Sequence, residues 1–333
     1  MISHSHLASL DLSLKGIVYI CTLTINQKEN KMAIIYGTNA NNTINGTSQN
    51  DEIYALGGND TVYGYNGSDY VDGGIGDDSI LGQAGNDTLS GNVGKDYLNG
   101  GYGNDTLYGG NDNDILNGSD GADYMNGGDH NDIYYVDNVG DVTEESYNDA
   151  LGGVDTVYAT VTHTIGYGIE NLTLTGSASI NGSGNSNGNS IIGNSGNNSL
   201  YGDAGNDSIK GGSGNDFLVG GDGNDNLTGG LGQDYQDGGL GADIFDFNSV
   251  SESPSGGLID TIANFKWGEG DKIDLSTIDA NLLLAGDQAF ASTQMNYNGS
   301  TGIFTADVIG GADLQIKMVG VQSGFAPSLD VIA

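Results

Sequence analysis

The sequence predicts an all-β fold in which short strands stack in parallel as a solenoid. Between residues 55 and 135 a glycine and an aspartate each recur every nine residues, with no residue inserted or lost. An apolar residue follows each aspartate by two positions, as in Val62, Ile80 and Leu107. Because the period is fixed and long, each unit is expected to bury its apolar residue by packing on neighbouring units.

The unit reads G-G-x-G-N-D-x-U-x, where U is apolar, as in residues 73–81 and 100–108. Its glycine-rich part can turn tightly, because glycine adopts backbone angles that other residues avoid. The x-U-x triplet is long enough for a short strand. Two units would close one coil, so repeats n and n+2 are expected to lie directly above one another.

This unit closely resembles the calcium-binding nonapeptide of the RTX, or haemolysin-type, proteins. The resemblance implies a right-handed parallel β-roll, and it implies several Ca²⁺ ions as the cofactor.

Electrostatics points to a cation independently. Strands in a sheet lie about 4.8 Å apart, so stacked aspartates would repel one another by about 3 kcal/mol at an effective dielectric of 20. One buried Leu or Ile in each unit contributes only about 1.5–3 kcal/mol. Oxygen-rich, flexible sites with many ligands favour calcium over magnesium. The predicted side-chain ligands are Asp51, Asp60, Asp69, Asp78, Asp87, Asp96, Asp105, Asp114, Asp123, Asp132, Asp207, Asp216, Asp225, Asp234 and Asp243.

The pattern divides the chain into a first array (32–135), a β-rich spacer (136–183) and a second array (184–246). The arrays begin with atypical units. In the first array Asn42 replaces the aspartate in a unit expected to cap the stack. In the second array Asn189 and Asn198 replace it, so calcium is expected to be weak or absent there. Gln236 occupies an inward apolar position. Residues 1–31 do not fit the pattern, and two interpretations stay open: a leader, or translation from Met32.

Residues 247–333 resemble the C-terminal domain of the serralysin metalloproteases, on the strength of 260–265 and 270–280. The resemblance implies a β-rich cap that carries a type I secretion signal, with the type I secretion apparatus as a partner. It also implies a further calcium bound by Glu252 and Asp260. The acidic and then apolar tail, residues 330–333, is similar to the tails that such exporters recognise.

Composition limits the function. The chain has 44 acidic residues against eight lysines, a net charge of −36, so nucleic acid and anionic membranes are poor partners. No apolar run is long enough for a transmembrane helix, and the single cysteine allows no intramolecular disulfide. A zinc protease needs two histidines four residues apart with a glutamate between them, and the four histidines lack this spacing.

The sequence therefore predicts a secreted, extracellular calcium-binding protein without enzymatic activity, which folds on calcium outside the cell. One alternative is a cell-surface or matrix adhesin that contacts a cell surface or glycan. Another is a polysaccharide-modifying enzyme with a site on the spacer, for example near Tyr158 and His163. Glu144 and Glu145 are expected to lie in a solvated loop, and His130 to be a tolerated loop substitution.

Overall fold

The computed structural model describes residues 19–21, 32–145, 152–278, 290–291, 294–309, 311–321 and 331–332. Almost all of the segment 1–31 and residues 330 and 333 of the predicted export tail lie outside the described residues. Within the described part the chain is all-β, with no helix, and forms a parallel β-solenoid of about 11 turns. The predicted fold class is confirmed. No helix of the described part is long and apolar enough to cross a membrane.

Three sheets form the walls of the solenoid, and their strands are numbered along the chain. The N-terminal sheet contains, in spatial order, β1 (Tyr19–Cys21), β2 (Ile34–Thr38), β4 (Glu52–Leu56), β6 (Tyr70–Ile75), β8 (Thr88–Val93), β10 (Thr106–Asn111), β12 (Tyr124–Asp129) and β14 (Val142–Glu144). The C-terminal sheet contains β16 (His163–Thr164), β18 (Gly182–Ser183), β20 (Ser199–Ala204), β22 (Phe217–Asp222), β24 (Tyr235–Leu240), β26 (Asp260–Ala263), β30 (Leu314–Val319), β29 (Ile303–Ala306) and β28 (Met295–Asn298).

The third wall, called the long sheet, runs through both arrays and the spacer without interruption. Its strands are, in order, β3 (Thr43–Asn45), β5 (Thr61–Asn66), β7 (Ser79–Ala84), β9 (Tyr97–Tyr102), β11 (Ile115–Asp120), β13 (Ile133–Val136), β15 (Thr156–Ala159), β17 (Asn171–Leu174), β19 (Ser190–Ile192), β21 (Ser208–Ser213), β23 (Asn226–Leu231), β25 (Ile244–Asp246), β27 (Lys272–Asp274) and β31 (Val331–Ile332). The predicted domain boundaries stay predictions, but one sheet connects the segments that they separate.

Register confirms that alternate repeats stack. Val62 lies opposite Ile80 between β5 and β7, and Ile80 lies opposite Leu98 between β7 and β9. Both pairings are parallel. Successive units therefore alternate between two facing sheets, and each column of equivalent residues contains every second repeat.

The strands are longer than the x-U-x triplet predicts. Inside the arrays they span six residues, as in Thr61–Asn66, because three residues follow the triplet in the strand and the last two of them, Tyr65 and Asn66, pair with the next coil. The sharp turn is formed by the three residues between consecutive strands, which are Gly67, Ser68 and Asp69 between β5 and β6. Tyr65 within β5 has a left-handed backbone with φ of 76°, which bends the strand toward the turn.

The core is one cluster of inward side chains from the facing sheets. The U residue of each first-array repeat from Val62 to Tyr134 is fully buried, as predicted. Gln236 is fully buried too, between Leu218 and Ile262 in the neighbouring strands, and neither amide atom has a hydrogen-bond partner. It is a polar interruption of an apolar column.

The C-terminal end closes the solenoid differently on its two faces. On the long sheet, β27 and β31 continue the parallel stack. On the C-terminal sheet, β30 pairs in parallel with β26, and then β29 and β28 follow as antiparallel strands. This C-terminal segment is rich in β-strands, and β29 and β28 extend the edge of the C-terminal sheet. Its likeness to the serralysin domain stays a prediction.

Candidate metal sites

The repeat aspartates form two buried columns, one along each side of the roll. Within a column, the backbone N–H of one aspartate donates to Oδ1 of the aspartate one coil later. The N–H of Asp60 donates to Asp78 over 2.7 Å, and the N–H of Asp78 donates to Asp96 over 2.7 Å. Asp69 donates to Asp87 over 2.8 Å in the other column. One carboxylate oxygen of each aspartate is thereby fixed, and the side chain is held in one orientation.

In all of the predicted repeat aspartates except Asp51, the second oxygen has no hydrogen-bond partner. The Oδ2 atoms that are buried without a hydrogen bond belong to Asp60, Asp69, Asp78, Asp87, Asp96, Asp105, Asp114, Asp123, Asp132, Asp155, Asp207, Asp216, Asp225, Asp234, Asp243 and Asp260. A buried polar atom without a partner is costly, and so many in one protein require an explanation.

Several of these oxygens face another acceptor. A methyl group built on Gly82 would lie 2.3 Å from Asp87 Oδ2 and 2.7 Å from the carbonyl oxygen of Gly100, one coil later. Gly64 and Gly220 have the same surroundings, with Asp69 and Asp225 as the carboxylates. Two acceptors that converge on one space are satisfied by a cation or by a proton, and the space exists because the residue beside it is glycine.

Burial also raises the pKa of these carboxyl groups. The pKa is raised to about 6 for Asp87, to about 7 for Asp96 and to about 8 for Asp114, with loss of solvation as the largest cause. The hydrogen bond from the preceding coil opposes the shift, and for Asp96 and Asp114 the neighbouring aspartates add to it. Without a cation, burial therefore makes these carboxyl groups easier to protonate than in the unfolded chain.

Comparison with known families identifies the cation that the aspartate columns bind. The family of the RTX calcium-binding nonapeptide repeat matches residues 36–71, 63–98, 72–107, 108–142, 183–218 and 210–245, together just over half of the chain. The chain belongs to this family. The RTX repeats bind calcium, and the converging oxygens fit that ion because carboxylate and carbonyl oxygens are its usual ligands.

Other comparisons add little. No curated protein matches the chain. Among solved structures, the chain is similar to the solution structure of a subunit of the mannuronan C5-epimerase of Azotobacter vinelandii, at 27% sequence identity and a TM-score of 0.30. That match covers 41% of this chain and 78% of the other chain.

Backbone conformation separates the RTX units with a free oxygen from those without one. Four residues before each repeat aspartate with a free Oδ2, the backbone has positive φ, as in Leu56 (77°), Gln83 (78°) and Gly101 (107°). None of these residues is β-branched, which agrees with the difficulty that Thr, Val and Ile have in this region. In these units no backbone N–H reaches the second oxygen.

The first units of each array lack this conformation. Thr47 has no positive φ, and its N–H donates to Asp51 Oδ2 over 2.6 Å, while the N–H of Ala33 donates to Oδ1 over 2.9 Å. Asp51 was predicted as a calcium ligand on the same grounds as its neighbours. That assignment stays a prediction, but the structure places Asp51 apart from them, because both of its oxygens already accept hydrogen bonds.

The asparagine units are satisfied in the same way. Asn198 Oδ1 accepts from the N–H of Asn194 over 2.9 Å, and its amide nitrogen donates to the carbonyl of Ile180 over 2.6 Å. In Asn189 the amide nitrogen donates to the carbonyl of Ile169 over 3.1 Å. An amide thus supplies a donor where an aspartate would leave only acceptors, which supports the expectation of weak or absent calcium there.

The two residues predicted from the C-terminal resemblance are both buried. Asp260 Oδ1 accepts from the N–H of Asp234 over 2.8 Å, so Asp260 extends one aspartate column past the last repeat. Glu252 Oε2 accepts from the N–H of Asn248 over 3.0 Å. Burial raises the pKa of Glu252 to about 7 and that of Asp260 to about 8, and the charge of Glu252 contributes to the shift at Asp260.

The structure also adds acidic residues that the repeat search missed. Asp141, Asp155 and Asp271 each continue a column by accepting the N–H of Asp123, Asp132 or Asp243 in the preceding coil. Glu170 in turn accepts the N–H of Asp155 over 2.9 Å. The signal was an acidic residue two positions before an inward apolar or small residue, as in Asp155-Thr156-Val157, without the complete G-G-x-G-N-D sequence of the repeat.

The expectation for Glu144 and Glu145 was half wrong. Glu144 is exposed, but Glu145 is buried, with 5% of its surface accessible. Glu145 Oε2 accepts from the N–H of Gly128 over 2.7 Å, and Oε1 bonds to the hydroxyl of Tyr134. Neighbouring side chains on a strand point in opposite directions, and here one of the two directions leads into the roll.

Proposed function

We propose that this RTX protein is an exported calcium-binding protein that folds when it meets calcium outside the cell and has no enzymatic activity. The observation that carries the proposal is the pairing of free aspartate oxygens with backbone carbonyls in coil after coil. At low calcium, ionised aspartates in these positions oppose folding. At the near-millimolar calcium typical of extracellular modules, the free energy of calcium binding would stabilise the folded state.

Far-UV circular dichroism of the full chain during a calcium titration tests the folding step. A cooperative transition from coil to strand is expected at about 0.1–1 mM calcium, with magnesium at the same concentrations as the control. Magnesium should fail because it demands a small, nearly octahedral site and dehydrates reluctantly. A chain already folded in chelator, or folded equally by magnesium, would contradict the proposal.

The export step is supported by the resemblance of residues 247–333 to a type I secretion domain. In cells that carry a type I exporter, the full chain is expected to reach the medium, and a variant without residues 247–333 to remain inside. A variant without residues 1–31 is the matched control and should be exported normally. Equal export of the chain without residues 247–333 would contradict this step.

A second candidate function is glycan binding by an adhesin or matrix protein. A hollow of about 410 Å³ lies on the outside of the long sheet at the spacer, lined by Asn117, Tyr135, Val136, Asp137, Tyr158, Thr160 and Thr175. The rings of Tyr135 and Tyr158 stack with centroids 5.8 Å apart. Calcium-dependent pelleting with cell-wall polysaccharide that falls with Tyr158→Ala, but not with the outward-facing control Tyr97→Ala, would support it.

The enzyme alternative has less support. His163 and Tyr158 lie on different sheets. The ring of His163 is buried and lies 2.9 Å from Thr143 Oγ1, and burial lowers its pKa to about 4. Tyr158 lies between the inward-facing Val157 and Ala159, so its ring points outward. The residues that suggested this alternative therefore do not converge on one groove.

A further inference from the structure

Three carboxyl groups meet where the first array joins the spacer. One oxygen each of Asp132, Glu145 and Asp155 lies within 4.8 Å of the others, and all three residues are buried, with 1%, 5% and 0% of their surface accessible. Only Asp132 belongs to a nonapeptide. Glu145 follows β14, and Asp155 precedes β15, so the group gathers three separate segments of the chain.

Tyr134 is the reason that this coil differs from the others. It occupies the inward apolar position of the last repeat, and its hydroxyl accepts from the N–H of Gly127 over 2.6 Å. In an ordinary coil, the space beside that glycine faces a carbonyl of the next coil, as Gly109 faces the carbonyl of Gly127. Here the same space lies 2.2 Å from Asp132 Oδ2 and 2.6 Å from the Tyr134 hydroxyl.

The hydroxyl also directs Glu145 into the group. Tyr134 Oη bonds to Glu145 Oε1, and it lies 3.3 Å from the carbonyl of Glu144. The free oxygen of Asp132 therefore faces the end of Glu145. Glu145 Oε2 is held by the N–H of Gly128, so the side chain has one fixed orientation.

The group has acceptors in excess. Asp155 Oδ1 accepts from the N–H of Asp132 over 2.7 Å, but the Oδ2 atoms of Asp132 and Asp155 are buried with no hydrogen-bond partner. Within the described residues, the one ion pair is between Lys266 and Glu269 in the C-terminal segment.

We propose that Asp132, Glu145 and Asp155 form a calcium site of their own, distinct from the sites of the repeats. It would differ in kind, because three carboxylates from three segments replace the combination of repeat aspartates and backbone carbonyls. More negative ligands increase calcium affinity, so this site should fill before the repeats do. An ion there would tie the end of the first array to the spacer. The inference does not depend on export.

Native mass spectrometry of the full chain at about pH 7.5 tests the proposal, because it resolves whole numbers of bound ions. At saturating calcium, Glu145→Gln and Asp155→Asn should each bind one ion fewer than the wild-type chain. Glu144→Gln is the matched control, since it removes the adjacent charge from an exposed side chain, and should bind the wild-type number. At limiting calcium, the first ion taken up by the wild type should be lost from Glu145→Gln and Asp155→Asn alone.

Circular dichroism in calcium checks that the variants fold. If Glu145→Gln and Asp155→Asn fold and bind as many ions as the wild type, with the first ion unchanged, the proposal is overturned. If they do not fold, the wild-type crystal in calcium decides. An anomalous peak among the three carboxylates supports the site, and its absence beside filled repeat sites overturns it.

Discussion

The backbone N–H of Thr47 donates to Asp51 Oδ2 over 2.6 Å, and no repeat aspartate with a free Oδ2 in the described residues receives this bond. The relationship divides the predicted ligands into two kinds. Where a left-handed residue precedes the aspartate by four positions, the second oxygen is left for calcium. Where a β-branched threonine takes that place, the protein supplies the donor itself.

Asp78→Asn and Asp51→Asn should therefore behave differently. Asp78→Asn removes a charge that faces other acceptors, so at least one calcium ion should be lost and the calcium midpoint of folding should rise. Asp51→Asn should leave the number of bound ions unchanged. Native mass spectrometry and a calcium titration followed by circular dichroism compare the two, and equal losses would contradict the division.

Acid should partly replace calcium. The pKa is raised to about 6 for Asp78, to about 7 for Asp69 and to about 8 for Asp260 by burial, all above the ordinary value of 3.8. The metal-free folded state therefore binds more protons than the unfolded chain. Its stability is greatest below about pH 4 and is lost as the pH rises through about 6–8.

The calcium-free chain should accordingly gain strand structure when the pH is lowered from about 8 to about 5. Circular dichroism in metal-free buffer measures the change, with repeated scans at several protein concentrations as the control for association. A metal-free chain that unfolds on acidification would show that the sign is wrong.

Gly82→Ala should abolish one calcium site. The added methyl group would lie 2.3 Å from Asp87 Oδ2 and 2.7 Å from the carbonyl of Gly100, in the space between the two acceptors. Such overpacking costs about 1–3 kcal/mol, and the ion count should fall by one. Gly299→Ala is the control, because only the ring of Tyr297 lies near, at 3.9 Å. Unchanged calcium binding by Gly82→Ala would count against the assignment of the space.

Gln236→Leu should stabilise the calcium-bound roll. The buried amide has two unpartnered atoms between Leu218 and Ile262, and relief of that desolvation is worth about 1–3 kcal/mol. Urea unfolding at saturating calcium measures the gain. Gln233→Leu, at an exposed position, should stay within about 0.5 kcal/mol of the wild type. A destabilised Gln236→Leu variant would mean that the glutamine has an unseen partner.

Most of the fold follows from the nine-residue period. The period predicts which residues point inward, from Val62 to Tyr134, and which aspartates stack, because both depend only on position within the coil. It does not predict the length of the strands, since the ladder continues into the glycine part only when two coils are in contact.

The site was less predictable where the chain departs from the period. Asp155 and Asp271 continue the columns after insertions, so a search in a fixed frame passes over them. The burial of Glu145 depends on the hydroxyl of Tyr134, a side chain that the pattern counts only as apolar. The placement of these three residues depends on tertiary contacts that the sequence pattern does not contain.

The uninterrupted long sheet gives the folded chain a fixed length. Its 14 strands at a spacing of about 4.8 Å give a stiff axis of roughly 60 Å. Calcium would therefore set a distance as well as a shape: whatever is attached near the two ends is held apart by a fixed span when the ion is present, and by a fluctuating coil when it is removed.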